Sequence, residues 1–112
     1  MPSGRPLYAK GFAYSGEPIL LTECGGIAYQ QDSCRNGWGY TSASTEEAFV
    51  DAYKRVVDAI LESPFLYGFC YTQLTDVEHE TNGLLTYDRR FKCDPDSIRK
   101  INAQWRHNTV EL

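Results

Sequence analysis

The sequence has little positive charge and no cluster of basic residues. Eleven lysines and arginines stand against fifteen aspartates and glutamates, which gives a formal net charge of -4. A protein that binds nucleic acid needs Lys and Arg side chains that neutralise a row of phosphates. We therefore expect no nucleic-acid partner.

Long hydrophobic runs are also missing. No segment approaches the ~20 consecutive apolar residues of a membrane-spanning helix. Residues 1 to 10 contain no apolar stretch of the length that a signal peptide requires. The sequence therefore predicts a soluble, cytoplasmic protein that does not associate with membranes.

Cysteine and histidine are too few and too irregularly spaced to form a metal site or a disulfide framework. The spacings of Cys24, Cys34, Cys70 and Cys93 match neither paired zinc ligands nor the dense pattern of small secreted domains. His79 has no second histidine or cysteine at ligand spacing. We therefore expect free thiols, no metal and no other cofactor.

What is present is an alternation of apolar runs with polar and helical segments. Residues 1 to 17 are rich in Gly, Pro, Ser and aromatic residues and predict a lead-in loop. Continuous apolar runs at 18 to 23 and 66 to 72 are typical of parallel strands that are covered on both faces. Residues 27 to 43 contain several Gly, Ser and Thr and predict a long surface connection.

Two segments combine helical spacing with an N-terminal capping signal. From about 45 to 62, apolar residues recur at intervals of three and four, and Ser44 with Glu47 forms a capping box. The second helix is predicted over about 95 to 105. It starts at Asp94-Pro95-Asp96, where the first aspartate caps the helix and proline occupies the first turn.

The order strand, helix, strand, helix predicts an α/β fold with parallel strands and both helices on one side. Between the second strand and the second helix, Asn82-Gly83 marks a tight turn. We expect residues 1–112 to form a single partial domain, because two strands cannot close a barrel. Their unpaired edges and uncovered face predict self-association into a homo-oligomer.

Polar residues follow each predicted strand. Glu23 ends the first apolar run, and Thr72-Gln73 ends the second, with Asp76 just beyond. In a (β/α)8 barrel the reacting groups lie at the carboxyl ends of the strands. Glu23 is therefore placed where such a fold carries a catalytic carboxylate.

Two longer motifs contain these strand ends. The first is Glu17-Pro-Ile-Leu-Leu-Thr-Glu23-Cys-Gly-Gly-Ile27, and the second is Tyr67-Gly-Phe-Cys-Tyr-Thr-Gln-Leu-Thr-Asp-Val-Glu78, continued by residues 80 to 89. The first resembles the seventh strand of glycoside hydrolase family 2, the β-galactosidase and β-glucuronidase type, and the second is similar to the eighth strand and its loop. The resemblance runs from about residue 5 to 105. It implies a partial (β/α)8 TIM barrel, a β-α-β-α fragment with strands 7 and 8.

The resemblance also implies a chemistry. Glu23 takes the place of the nucleophile that attacks the anomeric carbon of a carbohydrate substrate and forms a glycosyl-enzyme intermediate. The acid/base glutamate of the family belongs to the fourth strand, and no second carboxylate here matches its motif. The isolated chain is therefore expected to be inactive.

Four further residues are predicted to bind the substrate. Thr72 stands where better-known members carry a tryptophan under the sugar, and Gln73 stands where several relatives have asparagine. Asp76 lies nearest the strand end among the carboxylates of the following loop, and Trp38 offers an alternative stacking face.

Two functions from different classes remain open. In the first, the chain is the nucleophile-bearing fragment of a retaining β-glycosidase. In the second, it is a non-catalytic quarter-barrel that binds a carbohydrate or self-associates. Coding sequence that continues upstream in frame with six more strand–helix units would favour the enzyme, whereas a true start at Met1 would favour the second function.

Overall fold

A computed structural model of the chain describes residues 6 to 30 and 37 to 104. The helices and strands in this part are β1 (Ile19–Gly25), β2 (Ile27–Tyr29), β3 (Thr41–Ala43), α1 (Glu46–Leu61), β4 (Leu66–Thr72) and α2 (Pro95–Ala103). The predicted α/β class is confirmed, and residues 6 to 17 contain no helix or strand, as the lead-in loop requires.

β1 and β4 form a parallel two-stranded sheet, as predicted. The expectation that both strands are covered on both faces is wrong, because Leu20 is 59% exposed and Tyr67 is 63% exposed. The helical layer covers the other face, where Phe69 and Tyr71 pack against the core. Within the described residues, one face of this sheet has no covering layer.

The core lies between α1, α2 and the short strand β2. The buried face of α1 consists of Phe49, Tyr53, Val57 and Ile60, at the spacing of three and four residues that the sequence predicts. Tyr29 of β2 stacks on Phe49, with ring centroids 5.3 Å apart. Full burial of each large apolar side chain contributes roughly 1.5 to 3 kcal/mol, so this face holds α1 in place.

Both helices occur where they are predicted, with one error in capping. The first helix is capped by Thr45, whose hydroxyl accepts from the Ala48 amide at 3.1 Å, and not by Ser44. Thr45 has the extended backbone that a cap requires, and α1 starts one residue later. Asp94 caps α2 as expected, accepting from the Asp96 amide at 3.0 Å.

The prediction of a long surface connection is wrong for the start of the segment from 27 to 43, which is buried. The segment contains β2 and β3, which pair in parallel from Ile27 with Thr41 to Tyr29 with Ala43. These strands exist because of tertiary contacts, since Ile27 is only 2% exposed and packs in the core. Local composition favours a loop, and burial overrides it.

Asn82-Gly83 does not form the predicted tight turn. The chain reverses at residues 78 and 79, between Val77 and Glu80, which form an antiparallel bridge. Gly83 is required for a different reason, because a Cβ there would lie 2.3 Å from the Asp76 amide nitrogen. The glycine allows two segments of backbone to approach closely.

Candidate functional site

Glu23 lies near the carboxyl end of β1, in an irregular part of the strand. Leu21 pairs with Phe69 and Cys24 with Tyr71, so β1 places one more residue than β4 between these pairs. Strict alternation would put Glu23 on the same face as the half-buried Leu21, yet the Glu23 side chain is exposed. Irregularities of the β-bulge type re-aim side chains in this way and are frequent next to active sites.

The carboxyl ends of β1 and β4 meet beside Glu23. Gly25 is the register partner of Thr72, and the Gly26 amide donates to the Thr72 carbonyl at 2.8 Å. A cis peptide bond joins Thr72 to Gln73. Glu23 and Thr72 therefore lie at the same edge of the sheet, which is the edge where α/β folds bind their ligands.

Two consecutive glycines lead the chain out of β1. Gly25 and Gly26 have φ angles of 93° and 73°, which glycine adopts without steric cost. A Cβ on Gly25 would lie 2.1 Å from the Tyr71 ring, and a Cβ on Gly26 would lie 2.1 Å from the Tyr40 ring. The glycine pair thus allows two tyrosine rings to pack on the backbone that follows Glu23.

An open depression of about 260 Å³ borders Glu23. It is lined by Glu23, Cys24, Gly25 and Tyr40, and Glu23 carries the one carboxylate of this lining. A retaining glycosidase site holds two carboxyl groups ~5 to 5.5 Å apart. The depression therefore supplies one of the two groups that such chemistry needs.

The Cys24 thiol, next to Glu23 in the sequence, is a poor nucleophile. Burial, with a smaller contribution from Cys70, raises the pKa of Cys24 to about 11. The thiol stays protonated near neutral pH, and only the thiolate is an effective nucleophile. Its Sγ lies 3.4 Å from the Cys70 carbonyl oxygen, across the pair of strands. Cys24, Cys70 and Cys93 are free thiols, and Cys34 lies outside the described residues.

The Gln73 side chain is engaged within the protein. Its Nε2 donates to Oδ1 of Asn82 at 2.7 Å and to Oε2 of Glu80 at 3.0 Å. The Leu84 amide donates to the Gln73 carbonyl at 3.0 Å, which folds the segment after β4 back on itself. A contact between Gln73 and a sugar stays a prediction, and it would use the amide oxygen because both amide hydrogens have partners.

Asp76 forms a buried ion pair with Lys92. The Lys92 Nζ lies 2.6 Å from Asp76 Oδ1, and the two side chains are only 2% and 13% exposed. The same oxygen accepts from the Gly83 amide at 2.9 Å. Lys92 also donates to the carbonyls of Tyr29 and Thr81, each at 2.8 Å. Lys92 therefore connects β2 to the segment that follows β4.

The Lys92 pair has no counterpart in the sequence-based predictions. Lysine is rarely buried, and nothing in the spacing links Lys92 to Asp76. Burial lowers the pKa of Lys92, while the hydrogen bond and the charge of Asp76 oppose this shift. The predicted contact between Asp76 and a substrate stays a prediction, because the structure gives Oδ1 of Asp76 a different partner.

Trp38 lies beside the segment that connects β4 to α2. Its amide donates to the His79 carbonyl at 3.0 Å, and its carbonyl accepts from the Thr81 amide at 3.0 Å. The Trp38 ring lies 5.3 Å from the Tyr40 ring. Tyr40 has no predicted role, although the alternation Gly-Trp-Gly-Tyr from 37 to 40 was a signal that could have singled it out.

No known protein-family model matches the chain, and no curated protein matches it either. Among residues 6 to 30 and 37 to 104, no group of three or more His, Cys, Asp or Glu side chains is placed to hold a metal ion. Neither α1 nor α2, the helices of the described part, is long and apolar enough to cross a membrane.

Proposed function

We propose that this chain is the nucleophile-bearing part of a retaining glycoside hydrolase of family 2, with β1 and β4 as strands 7 and 8 of its barrel. The position of Glu23 carries the proposal. Its exposed carboxylate lies near the shared carboxyl end of two adjacent parallel strands. Barrel enzymes place their reacting groups at this end. The resemblance of residues 17 to 27 and 67 to 89 to the family supports the same assignment.

The proposed reaction has two displacements at the anomeric carbon. Glu23 attacks this carbon while the bond between the carbon and the leaving oxygen breaks, and a general acid gives that oxygen a proton. The deprotonated general acid then acts as a base and takes a proton from water. This water displaces Glu23 and releases the sugar with net retention. Glu23 suits the first displacement because its carboxylate is exposed beside an open depression.

The general acid belongs, in this proposal, to a part of the barrel that the described unit does not contain. Glu23 is the one carboxylate that lines the depression, and each strand of the β1–β4 sheet has an unpaired edge within the described residues. Further strands would join these edges. The coding sequence upstream of this chain tests the assignment. If that sequence continues in frame but encodes no strand–helix units, the fragment assignment is wrong.

We predict that the isolated chain does not hydrolyse aryl β-glycosides. Positioned proton transfer contributes ~10² to 10⁴ in rate, and in this proposal the group that performs it belongs to another part of the barrel. The strands that complete the barrel would also form most of the pocket that orients the sugar. The measurement is release of the aryl group from a galactoside, a glucuronide and a mannoside, with Glu23→Gln as the control. Release above that control would contradict the fragment assignment.

We also propose that the isolated chain self-associates through the β1–β4 sheet. Its free edges can pair with another strand, and Leu20 of β1 and Tyr67 of β4 expose apolar surface. Sedimentation over a wide concentration range should show an average mass that rises above that of a monomer. Tyr67→Lys should reduce the association, because a lysine beside a strand edge disfavours pairing. A compact monomer at every concentration would refute this.

A further inference from the structure

Two exposed aromatic rings lie against one another, and one of them, Tyr40, borders the same depression as Glu23. Trp38 is 52% exposed and Tyr40 is 65% exposed. Their centroids are 5.3 Å apart and their planes are inclined by 56°. The two rings form an aromatic corner that is open to solvent, and we call them the Trp38–Tyr40 pair.

The backbone that carries the pair is held on both sides. Trp38 exchanges two hydrogen bonds with the segment from His79 to Thr81, each 3.0 Å long, and the Tyr40 amide donates to the Gly26 carbonyl at 2.7 Å. A Cβ on Gly39, between the two rings, would lie 2.7 Å from that same carbonyl oxygen. Glycine therefore lets this segment lie directly against the chain that leaves β1. The rings are exposed on a backbone that is fixed.

The pair is continuous with the depression that contains Glu23. Tyr40 lines the depression together with Glu23, and its ring covers Gly26, three residues further along the chain. An isolated exposed aromatic residue is ordinary on a protein surface and needs no explanation. Two exposed rings on a fixed backbone, one of which borders the same depression as an exposed carboxylate, form a more specific arrangement.

We propose that the Trp38–Tyr40 pair is a stacking surface for a pyranose ring of the substrate. A pyranose has a face of C–H groups that packs on an aromatic ring and hydroxyl groups at its rim that bind polar atoms. The pair supplies the aromatic surface, and the adjacent Glu23 carboxylate is a hydrogen-bond acceptor. This inference rests on the proposed function for its choice of a sugar as the ligand.

The test follows the amide signals of residues 23 to 26 by NMR while the chain is titrated with methyl β-galactoside, methyl β-glucuronide and methyl β-mannoside. Mannitol is the control ligand, because it has similar hydroxyl groups but no ring face. We expect weak, saturable shifts with at least one glycoside and none with mannitol. Trp38→Ala or Tyr40→Ala should weaken the binding by about two- to tenfold, which corresponds to the loss of one aromatic contact.

Four further variants separate stacking from other causes. Trp38→Phe and Tyr40→Phe keep an aromatic ring and should retain most of the binding. Tyr67→Ala removes a ring of similar exposure, 63%, at the other end of the β1–β4 sheet and should change nothing. Saturable shifts that persist in the Trp38→Ala/Tyr40→Ala double variant would contradict the proposed stacking surface. Equal shifts with mannitol, or no shift with any glycoside, would also contradict it.

These outcomes are distinguishable from a failure of the proposed function. The stacking surface predicts that Glu23→Gln still binds a methyl glycoside, because the rings remain. The proposed function instead predicts that hydrolysis by the complete enzyme depends on Glu23. If glycosides bind through the Trp38–Tyr40 pair but hydrolysis does not depend on Glu23, the proposed stacking surface stands and the proposed nucleophile is wrong.

Discussion

Hydrolysis by the proposed full-length glycosidase should fall by about 10⁴- to 10⁶-fold when Glu23 is replaced by glutamine, the scale of loss when a member of a catalytic group is removed. Glutamine has nearly the same shape as glutamate, but its neutral amide cannot form the ester bond of a glycosyl-enzyme intermediate. Since Glu23 is exposed, the substitution should leave the fold intact. The measurement is kcat/KM for an aryl β-glycoside, beside the circular dichroism spectrum.

Glu62→Gln is the matched control. Glu62 is an exposed residue at the C-cap of α1, just before β4 starts, and so lies at the amino end of the sheet, away from the candidate site. Its replacement should leave kcat/KM unchanged. If kcat/KM of Glu23→Gln equals kcat/KM of Glu62→Gln, Glu23 takes no part in the reaction.

A second variant distinguishes a nucleophile from a proton donor. In Glu23→Ala, azide can enter the vacated space and attack the anomeric carbon from the face that the carboxylate occupied. The leaving oxygen departs from the opposite face with a proton from the general acid, so the glycosyl azide has inverted configuration. A product of retained configuration would show that Glu23 acts on the leaving-group side.

The main helices and strands could be predicted because their signals are local. The apolar run that becomes β4 has the bounds Leu66–Thr72, as expected, and α1 follows from the spacing of Phe49, Tyr53 and Val57. The Asp94-Pro95 start of α2 also depends on neighbouring residues alone. In each case the residues that specify the element belong to the element itself.

The missed features depend on contacts between distant parts of the chain. β2 forms because Ile27 and Tyr29 enter the core beside Phe49, whereas the composition of the whole segment from 27 to 43 favours a loop. Gly83 lies against the backbone of residues 75 and 76, which no turn motif indicates. Long-range packing of this kind overrides local propensity, and a single sequence does not reveal its partners.

The candidate site shows the same division. The position of Glu23 after an apolar run, and of Thr72 after the next, is enough to place both at one edge of a parallel sheet. The irregularity that exposes Glu23 depends on how β1 and β4 align, and the approach of Tyr40 depends on Gly26 and Gly39. These are relations between segments, so they appear only in the folded chain.

Lys92→Met should lower the free energy of unfolding by about 3 to 5 kcal/mol, the usual cost of breaking a buried ion pair. Lys92 is 2% exposed, and its Nζ bonds to Asp76 and to the carbonyls of Tyr29 and Thr81. Methionine fills similar space but leaves these oxygens without the donor. Proteins of this size have about 5 to 15 kcal/mol of stability, so the variant should lose a large part of it. Urea unfolding measures the change.

Lys54→Met is the matched control, since Lys54 pairs with Asp58 on the surface of α1, where the two side chains are 49% and 35% exposed. An exposed helical pair of this kind contributes about 0.3 to 0.5 kcal/mol, roughly a tenth of the effect expected at Lys92.

The double variant Lys92→Met/Asp76→Asn should lose less stability than the sum of its single changes, because the second change neutralises the carboxylate that the first leaves unpaired. Equal losses for Lys92→Met and Lys54→Met would mean that Lys92 does not hold the segment after β4 against β2. A coupling energy between the changes at Lys92 and Asp76 would instead show that this pair stabilises the segment after β4. The Trp38 backbone bonds to that same segment, so its position would depend on the pair.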